Sequence, residues 1–222
     1  MLVFGSSGYP LVFFPVSLGR CDQGRERGMI AAIAPRIEAG EIKVYCPESL
    51  DAEHWYNGDV PPAQRVRNYM DFQRLMLEDV FERALEETGS SKVALAGCGF
   101  GAYHALNLAL RRPERVGYLL CLSGAFDIKP FLRGYYDDEC YFNNPIDYLP
   151  GLEGSHLDPL RAIGIVLGTG EWDICRDATQ NLSTLLRAKG VEHWFDIWPD
   201  AIHDWTSWRQ AFPSYVSLIG RN

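Results

Sequence analysis

The 222-residue sequence has little that suits a nucleic acid or a membrane. Lys and Arg number 21 against 29 Asp and Glu, a formal net charge of −8, whereas nucleic-acid surfaces need clustered positive charge. No apolar run approaches the roughly 18 residues that a membrane span requires. The first residues also lack the basic segment of a signal peptide. We therefore expect no nucleic-acid partner, no membrane and no secretory signal.

The sequence also lacks metal-binding patterns. Its six cysteines form no Cys-x-x-Cys pair, which excludes a zinc ribbon and a thioredoxin motif. No two of the five histidines have metal-ligand spacing, so we expect no metal and no other cofactor. Cys46, Cys98 and Cys121 lie in or beside apolar runs that look like strands, which predicts buried free thiols and a cytoplasmic location.

The composition is that of an ordinary soluble domain, with 47% hydrophobic and 23% charged residues. The length suits one domain over residues 1–222. Apolar runs predict strands at residues 11–15, 42–46, 92–97, 116–122, 163–167 and 193–197. Between and after them, helical spacing predicts helices at residues 28–39, 61–87, 102–112, 178–189 and 205–218. Apolar strands alternating with helices indicate an α/β fold, a mostly parallel sheet with helices on both faces.

Residues 126–160 interrupt this alternation. They are rich in Tyr, Asp, Asn, Pro and Gly and have no clear periodicity. We predict that this segment is a short excursion over the active-site end of the domain. In such sheets, functional residues gather at the carboxyl ends of the strands.

The most informative segment is Gly97-Cys98-Gly99-Phe100-Gly101, which ends a predicted strand and opens a helix. In the Gly-x-Ser-x-Gly elbow, a nucleophile occupies a sharp turn between a strand and a helix, with small residues two positions before and after it. Gly97 and Gly101 meet that requirement around position 99. Position 99 is itself glycine, which tolerates the strained turn but has no group that can attack a substrate.

Three other interpretations of this segment stay open. The glycines also fit a Gly-x-Gly-x-x-Gly/Ala dinucleotide fingerprint, but the acidic residue expected about 20 residues later is missing until Asp127. Cys98 is a candidate thiol nucleophile, although Phe100 would then occupy a position that needs a small residue. The segment also suits a tight packing turn without chemistry.

Two further segments favour a catalytic triad. Asp173 follows a predicted strand, where the acid that orients a histidine is expected, and His203 follows the last strand. The chain order of position 99, acid and histidine is the order of an α/β-hydrolase. Glu171 is a competing acid, and Asp127 is a third candidate.

A catalytic triad of this kind also needs two backbone N–H donors for the oxyanion. We expect one from Phe100, the residue after the nucleophile position. The other should come from the loop after the first predicted strand, where we favour Ser17 and place Leu18 second. Trp172 and Trp205 flank the proposed acid and histidine, which suggests an aromatic-walled pocket.

Four motifs together resemble the esterase D-like esterase family of α/β-hydrolases, whose relatives include mycolyltransferases. They are the elbow at 97–101, Gly-Glu-Trp-Asp ending at Asp173, His203-x-Trp205-x-x-Trp208, and Ser49 to Tyr56. The resemblance spans nearly the whole chain and implies one α/β-hydrolase domain. It places residues 49–56 beside the substrate, and we expect substrate contacts from Leu18, His54, Trp55, Cys98, Trp172 and Trp205.

The resemblance also implies the chemistry. A serine at position 99 would attack an ester carbonyl to form an acyl-enzyme, His203 would carry the proton, and Asp173 would orient His203. The family has serine at this position, so Gly99 departs from the pattern, as an engineered Ser→Gly change or a natural loss. We expect this chain to bind a small ester and hydrolyse it very poorly. Alternatives are a natural binding pseudoenzyme and a hydrolase that uses Cys98. An exposed aromatic rim would suit a homo-oligomer.

Overall fold

A mostly parallel seven-stranded sheet forms the centre of the protein. The computed structural model describes residues 1–220, so the last two residues of the predicted 1–222 domain lie outside the described part. The strands are β1 (Leu2–Phe4), β2 (Tyr9–Phe14), β3 (Ile42–Cys46), β4 (Val93–Cys98), β5 (Val116–Leu122), β6 (Gly164–Gly170) and β7 (Trp194–Trp198). Their order is β1-β3-β2-β4-β5-β6-β7. Within residues 1–220, β1 is the only strand that pairs antiparallel, which confirms the predicted α/β architecture.

The helices lie mainly between the strands. They are α1 (Gln23–Glu26), α2 (Met29–Ala32), α3 (Ala34–Glu38), α4 (Pro62–Leu75), α5 (Glu82–Thr88), α6 (Phe100–Arg111), α7 (Lys129–Leu132), α8 (Asp138–Tyr141), α9 (Pro145–Tyr148), α10 (Asp158–Arg161), α11 (Arg176–Ala188) and α12 (Trp205–Val216). A π-helical segment, Met76–Phe81, joins α4 to α5. Within residues 1–220, no helix has both the length and the apolar character that crossing a membrane would take.

Helices cover both faces of the sheet because side chains alternate along each strand. Val12 and Phe14 of β2 pack into one core with residues of α4 and α6. Leu11 and Phe13 pack into the other core with residues of α2 and α12. The continuous apolar sequence of β2 therefore serves two buried faces, as expected for a central parallel strand.

The excursion at 126–160 folds into short helices that run along α6. The Tyr103 hydroxyl donates to the Asn143 carbonyl over 2.9 Å, and Tyr148 donates to Asn107 over 2.7 Å. Near the elbow, Phe131 packs on Phe100 with ring centroids 5.4 Å apart. The excursion therefore reaches the active-site end through Phe131, and none of residues 126–160 lines the cavity described below.

Candidate active site

The turn between β4 and α6 has the backbone of a nucleophile elbow. Gly99 lies between the two elements with φ 55° and ψ −122°. A Cβ added to Gly97 would lie 2.2 Å from the Gly101 carbonyl carbon, and one added to Gly101 would lie 2.4 Å from the Pro15 oxygen. Any side chain at Gly97 or Gly101 would collide with backbone. The tight approach thus accounts for the glycines on either side of position 99.

Position 99, His203 and Asp173 lie together at the carboxyl ends of the strands. The imidazole Nδ1 of His203 is 2.8 Å from Asp173 Oδ1. A Cβ built on Gly99 would lie 3.6 Å from His203 Nε2. A hydroxyl attached to that Cβ is within reach of a hydrogen bond to Nε2. The spacing is that of a nucleophile, base and orienting acid, except that the nucleophile's side chain is missing.

Asp173 is the acid that contacts His203. Its side chain is buried, and its Oδ1 also accepts the Cys175 N–H over 2.7 Å. The competing acid Glu171 instead accepts the Asp200 N–H over 3.2 Å. The distant candidate Asp127 accepts hydrogen bonds from Lys129 and Asn144 in the excursion.

Electrostatics favour a charged His203–Asp173 pair. Burial disfavours the imidazolium, but hydrogen bonds to Asp173 and Cys175 raise the pKa of His203 to about 9. Burial also disfavours the carboxylate, yet hydrogen bonds with His203 and from the Cys175 N–H lower the pKa of Asp173. The Trp208 ring packs edge-on against His203 at 4.8 Å. The imidazole is thus held in one orientation by a hydrogen bond and a ring.

The loop after β2 offers one backbone donor to the cavity. The N–H of Leu18 donates to Asp51 Oδ2 over 2.8 Å, and the N–H of Gly19 donates to the Val16 carbonyl over 2.8 Å. Among the described residues, the N–H of Ser17 has no acceptor. The choice of Leu18 as the second candidate for an oxyanion donor is therefore wrong, because its N–H already donates to Asp51.

The N–H of Phe100 suits the role of the second oxyanion donor. This N–H is the first of α6, so no carbonyl one turn earlier in that helix can accept it. Ser17 and Phe100 both line the cavity beside Gly99 and His203. These two N–H groups form the candidate oxyanion hole.

The cavity at this site has a volume of about 430 Å³. Its lining is mainly apolar and comprises Val16, Ser17, Gly99, Phe100, Ala125, Ile174, Cys175, His203, Asp204, Trp205 and Trp208. Of the residues expected to contact substrate, Trp205 lies in this lining. Trp172 is 65% exposed and Leu18 is 54% exposed, and both lie outside it.

The expectation that His54 and Trp55 contact substrate is wrong. Both side chains are buried, because residues 49–56 turn their rings into the core beside α4 and α6. The ring of Trp55 packs on Tyr69 at 4.8 Å. His54 Nε2 lies 2.9 Å from the Ser49 carbonyl, and burial together with His104 lowers the pKa of His54 to about 4.

Cys98 is also misplaced for substrate contact or attack. It ends β4 with its side chain fully buried in the core on the α12 side of the sheet. Burial, reinforced by nearby Cys121, raises the pKa of its thiol well above the ordinary value. A buried, protonated thiol is a poor nucleophile, so the structure removes the support for a Cys98-dependent hydrolase.

The sequence analysis missed Cys175 at this site. Donor atoms of Asp173, Cys175 and His203 lie within 4.8 Å of one another. These are donor types that zinc binds, but an ion would have to replace the 2.8 Å hydrogen bond between Asp173 and His203. The one sequence signal for Cys175 was its position two residues after the proposed acid, Asp173. Across residues 1–220 the six cysteines are free.

A parallel sheet, a glycine elbow and a histidine–aspartate pair at the strand ends define an α/β-hydrolase architecture. The family model described as "Putative esterase" matches residues 18–218, so the chain belongs to this esterase family. No curated protein matches the sequence.

Solved structures share the fold at low sequence identity. A ferulic acid esterase has a TM-score of 0.76 and 16% identity, over 97% of this chain and 85% of that chain. An S-formylglutathione hydrolase from Agrobacterium tumefaciens has a TM-score of 0.72 and 12% identity, over 95% and 83%. MPT51 of Mycobacterium tuberculosis has a TM-score of 0.72 and 13% identity, over 98% and 91%.

Proposed function

We propose that this chain is a serine-esterase scaffold that binds small esters and that Gly99 removes its nucleophile. One observation carries the proposal. The missing Cβ of Gly99 would lie 3.6 Å from the Nε2 of a histidine whose Nδ1 bonds a buried carboxylate. A packing turn or a dinucleotide site has no need of a histidine and an acid placed in this way.

With serine at position 99, the site supports acyl transfer. The hydroxyl would attack the ester carbonyl while the neutral form of His203, which predominates only above its pKa of about 9, takes its proton. The N–H groups of Ser17 and Phe100 would stabilise the oxyanion, and His203 would then protonate the departing alcohol. Water would then attack the acyl-enzyme while His203 takes a proton from it, and the carboxylic acid would leave as His203 returns the proton to the serine. Asp173 would hold the imidazole and balance its positive charge throughout.

With glycine at position 99, no acyl-enzyme can form at this position. Binding and the oxyanion donors alone give roughly 10³–10⁴-fold acceleration over water in a triad without one member. Among residues 1–220, no Lys or Arg lines the cavity, which favours neutral esters with an apolar acyl group. A natural ester-binding pseudoenzyme is the second candidate, since the cavity lacks only the nucleophile. A glycine codon in the gene would favour it, whereas a serine codon would identify an engineered change.

Hydrolysis of p-nitrophenyl acetate by the chain, Gly99→Ser and Gly99→Ala tests the proposal. Both variants add a Cβ at positive φ and should lose about 1–3 kcal/mol of stability. Only Gly99→Ser supplies a hydroxyl, so it alone should gain turnover, by roughly 10³-fold or more. Equal inactivity of all three folded proteins would contradict a preorganised site. Activity of the glycine form itself would contradict the silencing role of Gly99.

A further inference from the structure

A buried carboxylate and two histidines lie beneath the candidate oxyanion loop. Asp51 Oδ1 is 2.9 Å from His104 Nε2 and 3.7 Å from His54 Nε2. All three side chains are at most 1% exposed. Buried charged groups are costly unless they are well paired, so a cluster of this kind needs a structural or functional reason.

The second oxygen of Asp51 fastens the oxyanion loop. Asp51 Oδ2 accepts the Leu18 N–H over 2.8 Å, directly after the Ser17 peptide. Leu18 has φ 56°, a left-handed conformation that leucine disfavours and that persists only where neighbouring contacts hold it. Close by, the Ser49 hydroxyl donates to the Gly19 carbonyl over 2.9 Å. Asp51 thus opposes the tendency of this loop to relax.

The first oxygen of Asp51 reaches the other half of the oxyanion hole. His104 lies on α6, one helical turn after Phe100, and its ring also packs on the Phe100 ring at 5.0 Å. One carboxylate therefore joins the loop that carries the Ser17 N–H to the helix that carries the Phe100 N–H.

We propose that Asp51 is a positioning residue that sets the Ser17 N–H relative to the Phe100 N–H. It acts through Leu18 on one side and through His104 on the other, and it does not touch substrate. This role rests on the proposed esterase site and adds a buried element to it. Loss of Asp51 lets Leu18 leave its left-handed conformation, and the Ser17 N–H turns with it.

The test introduces Asp51→Ala into Gly99→Ser and measures kcat and KM for p-nitrophenyl acetate. We expect kcat to fall by about 10²-fold, at the low end of the loss of one oxyanion donor, with KM little changed. Adding Leu18→Gly should restore part of kcat, because glycine adopts positive φ without strain. A merely structural role would lower the melting temperature without this kcat loss or rescue, and that result would overturn the proposal.

Two controls keep the result interpretable. Asp196→Ala removes a carboxylate that accepts the Tyr215 hydroxyl over 2.6 Å on β7, away from the cavity. It should lower stability and leave kcat unchanged. Asp51→Asn is the milder variant if Asp51→Ala does not fold. It keeps one acceptor for Leu18, so we expect a smaller fall in kcat, and an unchanged kcat would again overturn the proposal.

A separate readout distinguishes this proposal from the esterase proposal. If Gly99→Ser has no turnover, the proposed function fails, and Asp51 is then tested in the original chain by amide hydrogen exchange. Asp51→Ala should speed exchange at Leu18 and its neighbours in the loop while the strands stay protected, and Asp51→Asn, whose neutral amide oxygen is a weaker acceptor, should speed it less. Unchanged exchange at Leu18 would show that Asp51 does not hold the loop.

Discussion

The His203–Asp173 pair can be tested without any nucleophile. Replacing Asp173 by Asn removes the carboxylate charge that lies 2.8 Å from His203 Nδ1. The interactions of His203 with Asp173 and, to a smaller extent, with Cys175 outweigh burial and raise the pKa of His203 to about 9, from an ordinary value of 6.5. In Asp173→Asn burial should dominate, so we expect the pKa of His203 to fall to 6.5 or below.

The raised pKa also defines when the pair stabilises the fold. The difference from 6.5 corresponds to about 3 kcal/mol, which partial solvent exposure of the imidazole reduces to about 1–2 kcal/mol. Because the folded pKa of His203 is the higher one, its contribution is complete below pH 6.5 and is lost as pH rises through about 9. Because the folded pKa of Asp173 is the lower one, its contribution is lost as pH falls through that value.

The assay is an NMR titration of the His203 ring protons in the original chain and in Asp173→Asn. Asp200→Asn is the matched control, since it removes one negative charge from an exposed position near His203 without touching the pair. The control should keep the raised pKa. An original chain in which His203 titrates at 6.5 or below would refute the reasoning.

Three further predictions follow from local geometry. Iodoacetamide should label half-buried Cys175 in the native protein and leave buried Cys98 unmodified. Peptide mass spectrometry measures both, and labelling of Cys98 before Cys175 would contradict the burial of Cys98. Asp204→Ala removes the side chain that caps α12 and should cost about 1 kcal/mol in urea unfolding, whereas an unchanged midpoint would mean that the cap contributes nothing. Gly101→Ala should destabilise by about 3 kcal/mol or more because its Cβ meets backbone at 2.4 Å. Gly58→Ala should not, because its Cβ meets only the end of the Arg133 side chain at 3.9 Å, and equal effects would contradict the tight elbow.

The fold was largely predictable because the central strands are apolar on both faces. The strand at 116–122 was predicted with its observed bounds, and the elbow, acid and histidine follow strands as expected. Residues 2–4 were missed because three residues at an antiparallel edge carry no periodic signal. The helix expected at 28–39 is instead α2 and α3, which join at Ile33 shortly before Pro35.

The site was predictable only where residues are close in sequence to a strand end. Asp173 and His203 follow β6 and β7, so position along the chain identified them. His54 and His104 are 50 residues apart and meet only because the segment 49–56 folds against α6, with Asp51 between them. The family resemblance of residues 49–56 placed His54 at the substrate, and a polar residue in a loop gives no sign that it turns inward. The cytoplasmic location and a homo-oligomer stay predictions.

The most direct test of the central claim uses an irreversible fluorophosphonate probe that reports an activated serine. Gly99→Ser should gain one phosphonyl group on the peptide that contains position 99, and adding His203→Ala should abolish the labelling. The original chain should take up no label there. Failure of folded Gly99→Ser to react, or equal labelling after His203→Ala, would contradict a site that lacks only its nucleophile.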